Sequence, residues 1–183
     1  MPLLMLKDLP RYECLLEAAE ENPSLDPTAC EAFFHLLRTG DDIFSTEARF
    51  LTQHNISQGR FTVMMLLHHG CTHVSTPAEL AEAAGVTRAT MTGLIDTLEK
   101  DGLVERGANP SDRRTVRVKM TSAGEAFLAK ILPDYFRCVS GMIRALSVAE
   151  RKLLVELLQK IQQGLATEKD EALRRRSSSL SEA

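Results

Sequence analysis

The sequence of 183 residues predicts a mostly α-helical protein with one small β-sheet. Apolar side chains recur at helical spacing through most of the chain, before residue 70 and again after residue 121. Between these regions, Val116, Val118 and Met120 alternate with polar residues, as in a half-buried strand. Helix-capping residues also stand directly before several apolar runs, which indicates where the predicted helices begin.

Composition narrows the class of protein before any motif is considered. Hydrophobic residues make up 44% of the chain and charged residues 26%, as in ordinary soluble proteins. No apolar run reaches the ~20 residues of a membrane span, and the first residues lack the pattern of a secretion signal. Four scattered cysteines without a CxxC pair are typical of reduced thiols. We therefore expect a cytoplasmic protein that contacts no membrane.

Residues 1–25 form a predicted N-terminal arm with a short helical pattern and an acidic outer face. Asp26 and Pro27 then open a long helix as its cap and its first residue. Five of the seven phenylalanines lie in this helix and the one after it, which is more apolar surface than one small domain covers. We therefore expect residues 26–56 to pack against another helical surface.

Two short helices joined by a tight turn follow. Thr76 caps the first and forms a capping box with Glu79, and this helix stops at Gly85, where glycine readily adopts a left-handed conformation. Thr87 caps the second helix, whose apolar residues recur on one face. The pattern is that of a helix-turn-helix, in which the second helix enters the major groove of DNA.

A basic β-hairpin comes next in the chain. Its two strand patterns flank a turn cluster at residues 107–112. From Arg106 to Lys119 there are five basic residues and one acidic residue, a local charge of +4 in a chain whose formal charge is −3. A basic hairpin beside a helix-turn-helix is typical of a wing that contacts the DNA backbone and minor groove.

Two long apolar helices are predicted after the wing. Pro133 should kink or interrupt the first, and Ser147 with Glu150 forms a capping box that opens the second. Together they occupy residues 122–168. The remaining tail, residues 169–183, has too few apolar residues to be held by packing and is predicted to be disordered.

The stretch LEKDGLVER followed by NPSDRRTVRVKMTSAG resembles the MarR (multiple antibiotic resistance regulator) family of winged helix-turn-helix transcriptional regulators. The wing signature of that family, Asp-x-Arg followed by Val-x-Leu-Thr, falls on these positions: Asp112, Arg114, Val118, Met120 and Thr121. Methionine stands where the family has leucine. The resemblance implies a DNA-binding domain over residues 57–121, with residues 26–56 and 122–168 forming a helical dimerisation region.

The resemblance also implies a function. We expect a homodimeric repressor that binds double-stranded DNA at a pseudo-palindromic operator and is released by a small phenolic or anionic ligand, with no cofactor and no catalytic role. In this interpretation Arg114 enters the minor groove, and Asp112 pairs with a wing arginine and stabilises the hairpin. The expected DNA contacts are Thr76, Thr87, Arg88, Ala89, Thr90, Thr92, Arg113, Arg114 and Arg117.

Other interpretations of individual residues remain open. The implied ligand pocket, between the first two helices and the winged domain, contains His35, Arg38 and Arg60, although surface ion pairs with nearby acids account for these residues better: Asp41, Asp42 or Glu47. Cys30 lies near a helix N-terminus, which favours a reactive thiolate, so a redox-sensing regulator is one alternative. That region lacks the tyrosines with which such sensors work.

Two further alternatives concern metals and partners. Adjacent His68 and His69 point about 100° apart on a helix, so we expect no metal site there, even with Cys71 and His73 close by in sequence. An enzyme is disfavoured because the chain has no GxSxG, HExxH, CxxC or phosphate loop. A winged helix that contacts only other proteins is the last alternative.

Overall fold

The computed structural model describes residues 8–69, 74–108 and 116–181. The structure is mostly helical, with three short strands, and confirms the predicted fold class. In chain order the elements are α1 (Tyr12–Glu21), α2 (Pro27–Gln53), α3 (Gln58–His69), β1 (Val74–Ser75), α4 (Pro77–Ala84), α5 (Arg88–Lys100), β2 (Val104–Ala108), β3 (Val116–Met120), α6 (Ser122–Met142) and α7 (Val148–Ser181).

The chain divides into two compact units, residues 1–138 and 139–183. The first unit holds a single apolar core to which helices α2 to α6 and strands β2 and β3 all contribute. Its members are almost wholly buried: Leu51, Ile56, Phe61, Val63, Met64, Leu67, Leu80, Ala81, Met91, Ile95, Leu98, Val104, Val118, Met120, Leu128 and Ile131.

The start of α2 follows directly from two adjacent residues. The Asp26 carboxylate accepts hydrogen bonds from the backbone N–H groups of Thr28 (2.9 Å) and Ala29 (3.1 Å). These are two of the donors that a helix N-terminus leaves without partners. Pro27 occupies the first helical position, where no donor is needed. The helix predicted from Asp26 and Pro27 is therefore confirmed.

The sheet has the strand order β1-β3-β2, and both pairings are antiparallel. β3 lies in the middle, with Val118 and Met120 buried against the helices. Val116 was predicted to share that buried face, but its side chain is 44% exposed. The reason is its pairing with Ala108, since the sheet extends beyond the edge of the core at that point.

The junction between β2, β3 and α6 depends on close backbone contact. The Thr121 hydroxyl donates to the Gly102 carbonyl (2.6 Å), and the Thr121 N–H donates to the Leu103 carbonyl (3.1 Å). The hydroxyl oxygen also accepts from the Gly124 N–H at the start of α6 (3.0 Å). Thr121 therefore joins the helix cap to the end of α5 and the first residues of the wing.

The prediction for Pro133 was a kink or an interruption, and because α6 continues through this proline the interruption is wrong. A proline within a helix removes one backbone donor, and the loss of one hydrogen bond does not end a helix of 21 residues whose inner face is buried at Leu128 and Ile131.

The second unit consists of the last residues of α6 and the long helix α7. The Ser147 hydroxyl accepts from the Glu150 N–H (3.3 Å), and the Glu150 carboxylate accepts from the Ser147 N–H (2.7 Å), which is the predicted capping box. The backbone of α7 is helical to Ser181, whereas the tail from residue 169 was predicted to be disordered. Residues 165–181 contain no proline or glycine and many good helix formers, so nothing in them ends the helix.

Candidate nucleic-acid interface

The first part of the candidate interface is the N-terminus of α4. The Thr76 hydroxyl accepts from the Glu79 N–H (3.2 Å), and the Thr76 N–H donates to the Glu79 carboxylate (2.7 Å). The backbone and hydroxyl of Thr76 together lower the pKa of Glu79, and the nearby charge of Arg117 lowers it further. β3 brings Arg117 close to the start of α4, because Ser75, directly before Thr76, is paired with Val118 of β3.

The second part is the outer face of α5. Gly85 has φ +64° and ends α4, and Thr87 then caps α5 by accepting from the Thr90 N–H (3.1 Å). Met91 and Ile95 have no exposed surface, which fixes the rotation of α5 about its axis. Five of the residues predicted to contact DNA are therefore on the exposed side: Thr87, Arg88, Ala89, Thr90 and Thr92.

The exposed face of α5 has the shape needed for close approach to another surface. Gly93 adds no side chain there, and a β-carbon at that position would have no neighbour within 4 Å. The Thr92 hydroxyl donates to the Arg88 carbonyl (2.9 Å), so it lies along the helix and does not project. The Arg88 side chain makes no salt bridge within the described part of the chain.

The third part is the wing. Arg117 lies exposed on β3, opposite Gly107 of β2. Asp112, Arg113 and Arg114, the predicted residues at the tip of the wing, lie outside the described residues.

The basic charge predicted for the wing is partly neutralised by acids that lie outside the stretch from Arg106 to Lys119. The Arg106 guanidinium forms salt bridges with Asp96 and Glu99 of α5. Lys119 forms a salt bridge with Glu105, which lies directly opposite on β2 (2.8 Å). Two of the five basic residues counted from the sequence are therefore paired.

The charge state of Arg106 is stable. Partial burial acts to lower the pKa of Arg106, but the hydrogen bonds from its guanidinium to Asp96 and Glu99 outweigh this and raise the pKa above its ordinary value. The backbone N–H of Arg106 also donates to the Glu99 carboxylate (3.2 Å). Arg106 is therefore a permanently charged link between β2 and α5.

The three predicted ligand residues lie on two helices, His35 and Arg38 on α2 and Arg60 on α3. His35 lies exposed on α2, and Arg38 is half-buried one turn further along. Arg60 on α3 forms a salt bridge with Asp101 at the end of α5, whereas the acids considered from the sequence, Asp41, Asp42 and Glu47, all lie on α2. His35 and Arg60 make no contact with each other.

A polar cluster that sequence reasoning missed joins α2, α3 and α6. The Tyr135 hydroxyl donates to the Glu47 carboxylate (2.8 Å), whose other oxygen accepts from the side-chain amide of Gln58 (2.9 Å). Burial and the hydrogen bond to Glu47 raise the pKa of Tyr135 to about 12. Tyr135 and Glu47 are 88 positions apart, so no local pattern indicates this pair.

The cysteine and histidine candidates have ordinary surroundings. Cys30 is half-buried in the first turns of α2, and its N–H donates to the Asp26 carbonyl (3.0 Å). His68 and His69 are exposed at the end of α3, with ring centroids 5.1 Å apart. Among the described residues, no three His, Cys, Asp or Glu side chains converge as metal ligands would. Cys71 and His73 lie outside these residues.

No helix in the described segments is both long enough and apolar enough to cross a membrane.

Known proteins resemble this chain in sequence and in fold. The model of the MarR family matches residues 56–116. The HTH-type transcriptional repressor YetL of Bacillus subtilis (strain 168) is 32% identical over 165 residues, which are 90% of this chain and 99% of YetL. The crystal structure of AbsC, a MarR family transcriptional regulator from Streptomyces coelicolor, matches the fold with a TM-score of 0.72 at 20% identity, over 78% of this chain and 97% of AbsC. A mutant MarR from E. coli, crystallised with operator DNA, matches with a TM-score of 0.60 at 25% identity, over 78% of this chain and 96% of that protein.

Proposed function

The chain belongs to the MarR family of transcriptional regulators, and we propose that it is a non-enzymatic, cytoplasmic repressor that binds a pseudo-palindromic operator as a homodimer. One observation carries this proposal: the exposed face of α5 presents Arg88, which has no acidic partner among the described residues, beside short side chains. Short side chains allow a helix to approach base edges, and a guanidinium can donate two hydrogen bonds to a guanine.

Contacts with the DNA backbone are proposed on both sides of α5. Arg117 and the capped N-terminus of α4 at Thr76 lie near each other, and a helix N-terminus together with a cation is well suited to a phosphate. Arg113 and Arg114 at the tip of the wing would add a phosphate contact and a minor-groove contact, with Asp112 stabilising the hairpin.

The homodimer is supported by apolar surface that each compact unit leaves exposed. In the first unit, Phe33 on α2 is 56% exposed and Phe44 is 60% exposed. In the second unit, many large apolar residues of α7 are exposed: Val148, Leu153, Leu154, Val155, Leu157, Ile161 and Leu165. Soluble monomers rarely leave so much apolar surface in contact with water, and a second copy of the chain would cover it.

A two-fold dimer would present two copies of α5 about one helical turn of DNA apart, which is why the operator is proposed to be pseudo-palindromic. Release by a small phenolic or anionic ligand is proposed through His35 and Arg38 on α2, because His35 is exposed on that helix and Arg38 lies one turn further along it. Benzoate and phenol are suitable first probes. Displacement of the operator by either would support this step, and loss of the displacement in His35→Ala would assign it to this residue.

The experiment that tests DNA binding is a fluorescence-anisotropy titration with DNA from upstream of the protein's own gene, in the presence of random competitor DNA. Arg88→Ala should lose about 1–3 kcal/mol of operator binding if it contacts a base. Arg117→Ala should lower affinity for every sequence and reduce the slope of log K against log salt by about 1. Arg144→Ala, which removes an exposed arginine between α6 and α7, is the matched control and should bind like the wild type.

Two results would contradict the proposal. If the wild type binds the upstream DNA only weakly, and neither competitor DNA nor Arg88→Ala nor Arg117→Ala changes that binding, the winged helix contacts something other than DNA, which is the protein-contact alternative. If binding responds to peroxide and Cys30→Ser removes that response, the protein is a redox-sensing regulator and ligand release is wrong.

A further inference from the structure

The recognition helix α5 has an uneven distribution of charge that DNA binding alone does not explain. Arg88 lies in its first turn, whereas Asp96, Glu99 and the capping residue Asp101 lie at its other end. Carboxylates close to a DNA duplex repel its phosphates and weaken binding. The presence of three carboxylates on a DNA-reading element therefore calls for a structural reason.

Arginines from two neighbouring elements account for these acids. Arg106 on β2 bridges Asp96 and Glu99, which are one helical turn apart on the same side of α5. Arg60 on α3 pairs with Asp101. α5 is therefore held by ion pairs on two sides, one of which belongs to the wing.

Arg106 is attached to α5 by more contacts than a single ion pair provides. Its two terminal nitrogens contact two different carboxylates, and its backbone N–H donates to the second oxygen of Glu99. In the sheet, Arg106 is paired with Val118, whose side chain is wholly buried in the core. The planar guanidinium of Arg106 bridges two acids of α5, and the residue paired with Arg106 in the sheet is fixed in the core. Together these contacts hold β2 at one angle relative to α5.

We propose that Arg106 is a positioning residue for DNA recognition: by bridging Asp96 and Glu99, it holds the wing at the angle at which the wing and α5 contact one duplex together. This inference rests on the proposed function, since it concerns how that DNA interface is assembled. In this proposal Arg106 acts through the position of β2 and not by contacting DNA, because its two terminal nitrogens are held by carboxylates of α5. The acids of α5 strengthen operator binding indirectly, although their charge by itself opposes it.

The test is whether Glu99→Met weakens or strengthens operator binding. Glu99→Met removes a negative charge and the acceptor but keeps the length and helix propensity of the side chain. If Arg106 is a positioning residue, Glu99→Met and Arg106→Met each weaken operator binding by roughly 2- to 30-fold, and the double variant is no weaker than the weaker single variant. If Arg106 instead contacts phosphate, Arg106→Met weakens binding while Glu99→Met strengthens it, and the inference is overturned.

Three controls complete the experiment on the full-length protein. Glu82→Met removes an exposed acid from α4 that has no arginine partner among the described residues, and its operator binding should be unchanged or slightly stronger. Arg106→Lys keeps the charge but cannot bridge two carboxylates, so it should bind as weakly as Arg106→Met; wild-type affinity in Arg106→Lys would overturn the inference. Thermal unfolding of each variant establishes that it is folded at the temperature of the titration.

The two proposals fail in different ways. If the wild type does not bind the upstream DNA in preference to random DNA, the proposed function is wrong at that operator. If the wild type binds specifically and Glu99→Met binds equally well or better, only the positioning role of Arg106 is wrong.

Discussion

Replacing Gly124 with alanine should destabilise the protein, although glycine-to-alanine changes in helices are usually favourable. Gly124 is buried in the first turn of α6, where the helix passes over the backbone of Leu103. A β-carbon at position 124 would lie 3.0 Å from the Leu103 carbonyl carbon and closer still to the carbonyl oxygen, more than 1 Å inside the 3.4 Å at which ordinary contact begins. The obstacle is backbone, which cannot rotate away as a side chain can.

The magnitude follows from what must move. Overpacking of a close-packed site costs about 1–3 kcal/mol. The Leu103 oxygen that would have to shift also accepts the Thr121 N–H, and losing that hydrogen bond adds about 0.5–1.5 kcal/mol. The gain in helix propensity offsets at most about 1 kcal/mol. We therefore expect Gly124→Ala to lower the free energy of unfolding by roughly 2–3 kcal/mol.

Thermal and urea unfolding, followed by circular dichroism at a fixed protein concentration, would measure this change. At roughly 2–4 °C per kcal/mol for a chain of this size, the Tm should fall by about 4–12 °C. Gly141→Ala is the matched control, since it lies in the same helix with nothing within 4 Å of its β-carbon, and it should be neutral or slightly stabilising. If both variants unfold at the same Tm, the close approach of α6 to Leu103 is not what requires glycine.

Other changes to the helix caps and to the polar cluster have equally definite outcomes. Thr76→Ala should lower the free energy of unfolding by about 0.5–2 kcal/mol, measured by urea titration, because the N–H of Glu79 loses its cap. The hydrogen bonds from Thr76 lower the pKa of Glu79 below its ordinary 4.5. The ionised carboxylate therefore stabilises the fold fully above pH 4.5, and this stabilisation is lost as the pH falls through the lowered pKa. In urea titrations the stability difference between wild type and Glu79→Gln should become smaller as the pH falls below 4.5. Tyr135→Phe should cost about 1 kcal/mol at pH 7, since Glu47 keeps its other donor. Burial raises the pKa of Tyr135 from 10.0 to about 12. The contribution of its hydroxyl to the free energy of unfolding is therefore complete below pH 10 and is lost as the pH rises towards 12. Between urea titrations at pH 9 and pH 11, the free energy of unfolding should fall less for Tyr135→Phe than for wild type.

Predictions from the sequence succeeded where the interaction is local. The caps at Asp26, Thr76, Thr87 and Ser147 each depend on a side chain and a backbone group two or three positions apart, so the pattern of residues is sufficient to identify them. The rotation of α5 followed from its apolar spacing for the same reason. The interruption predicted at Pro133 was wrong because α6 is already held by buried residues before the proline, at Leu128 and Ile131, and one missing hydrogen bond does not end it.

The sequence by itself therefore determined where the capped helices begin and which face of α5 points outward, since both depend on neighbours within one helical turn. The tertiary structure alone decided which charges remain available to a partner. Arg60 and Arg106 are paired with acids of α5 that lie 41, 10 and 7 positions away, and counting basic residues along the wing could not detect those partners. The tertiary structure also decided that Tyr135 contacts Glu47 and that position 124 must lack a side chain. Each of these features joins segments that are distant in sequence and that only the packed core brings within contact distance.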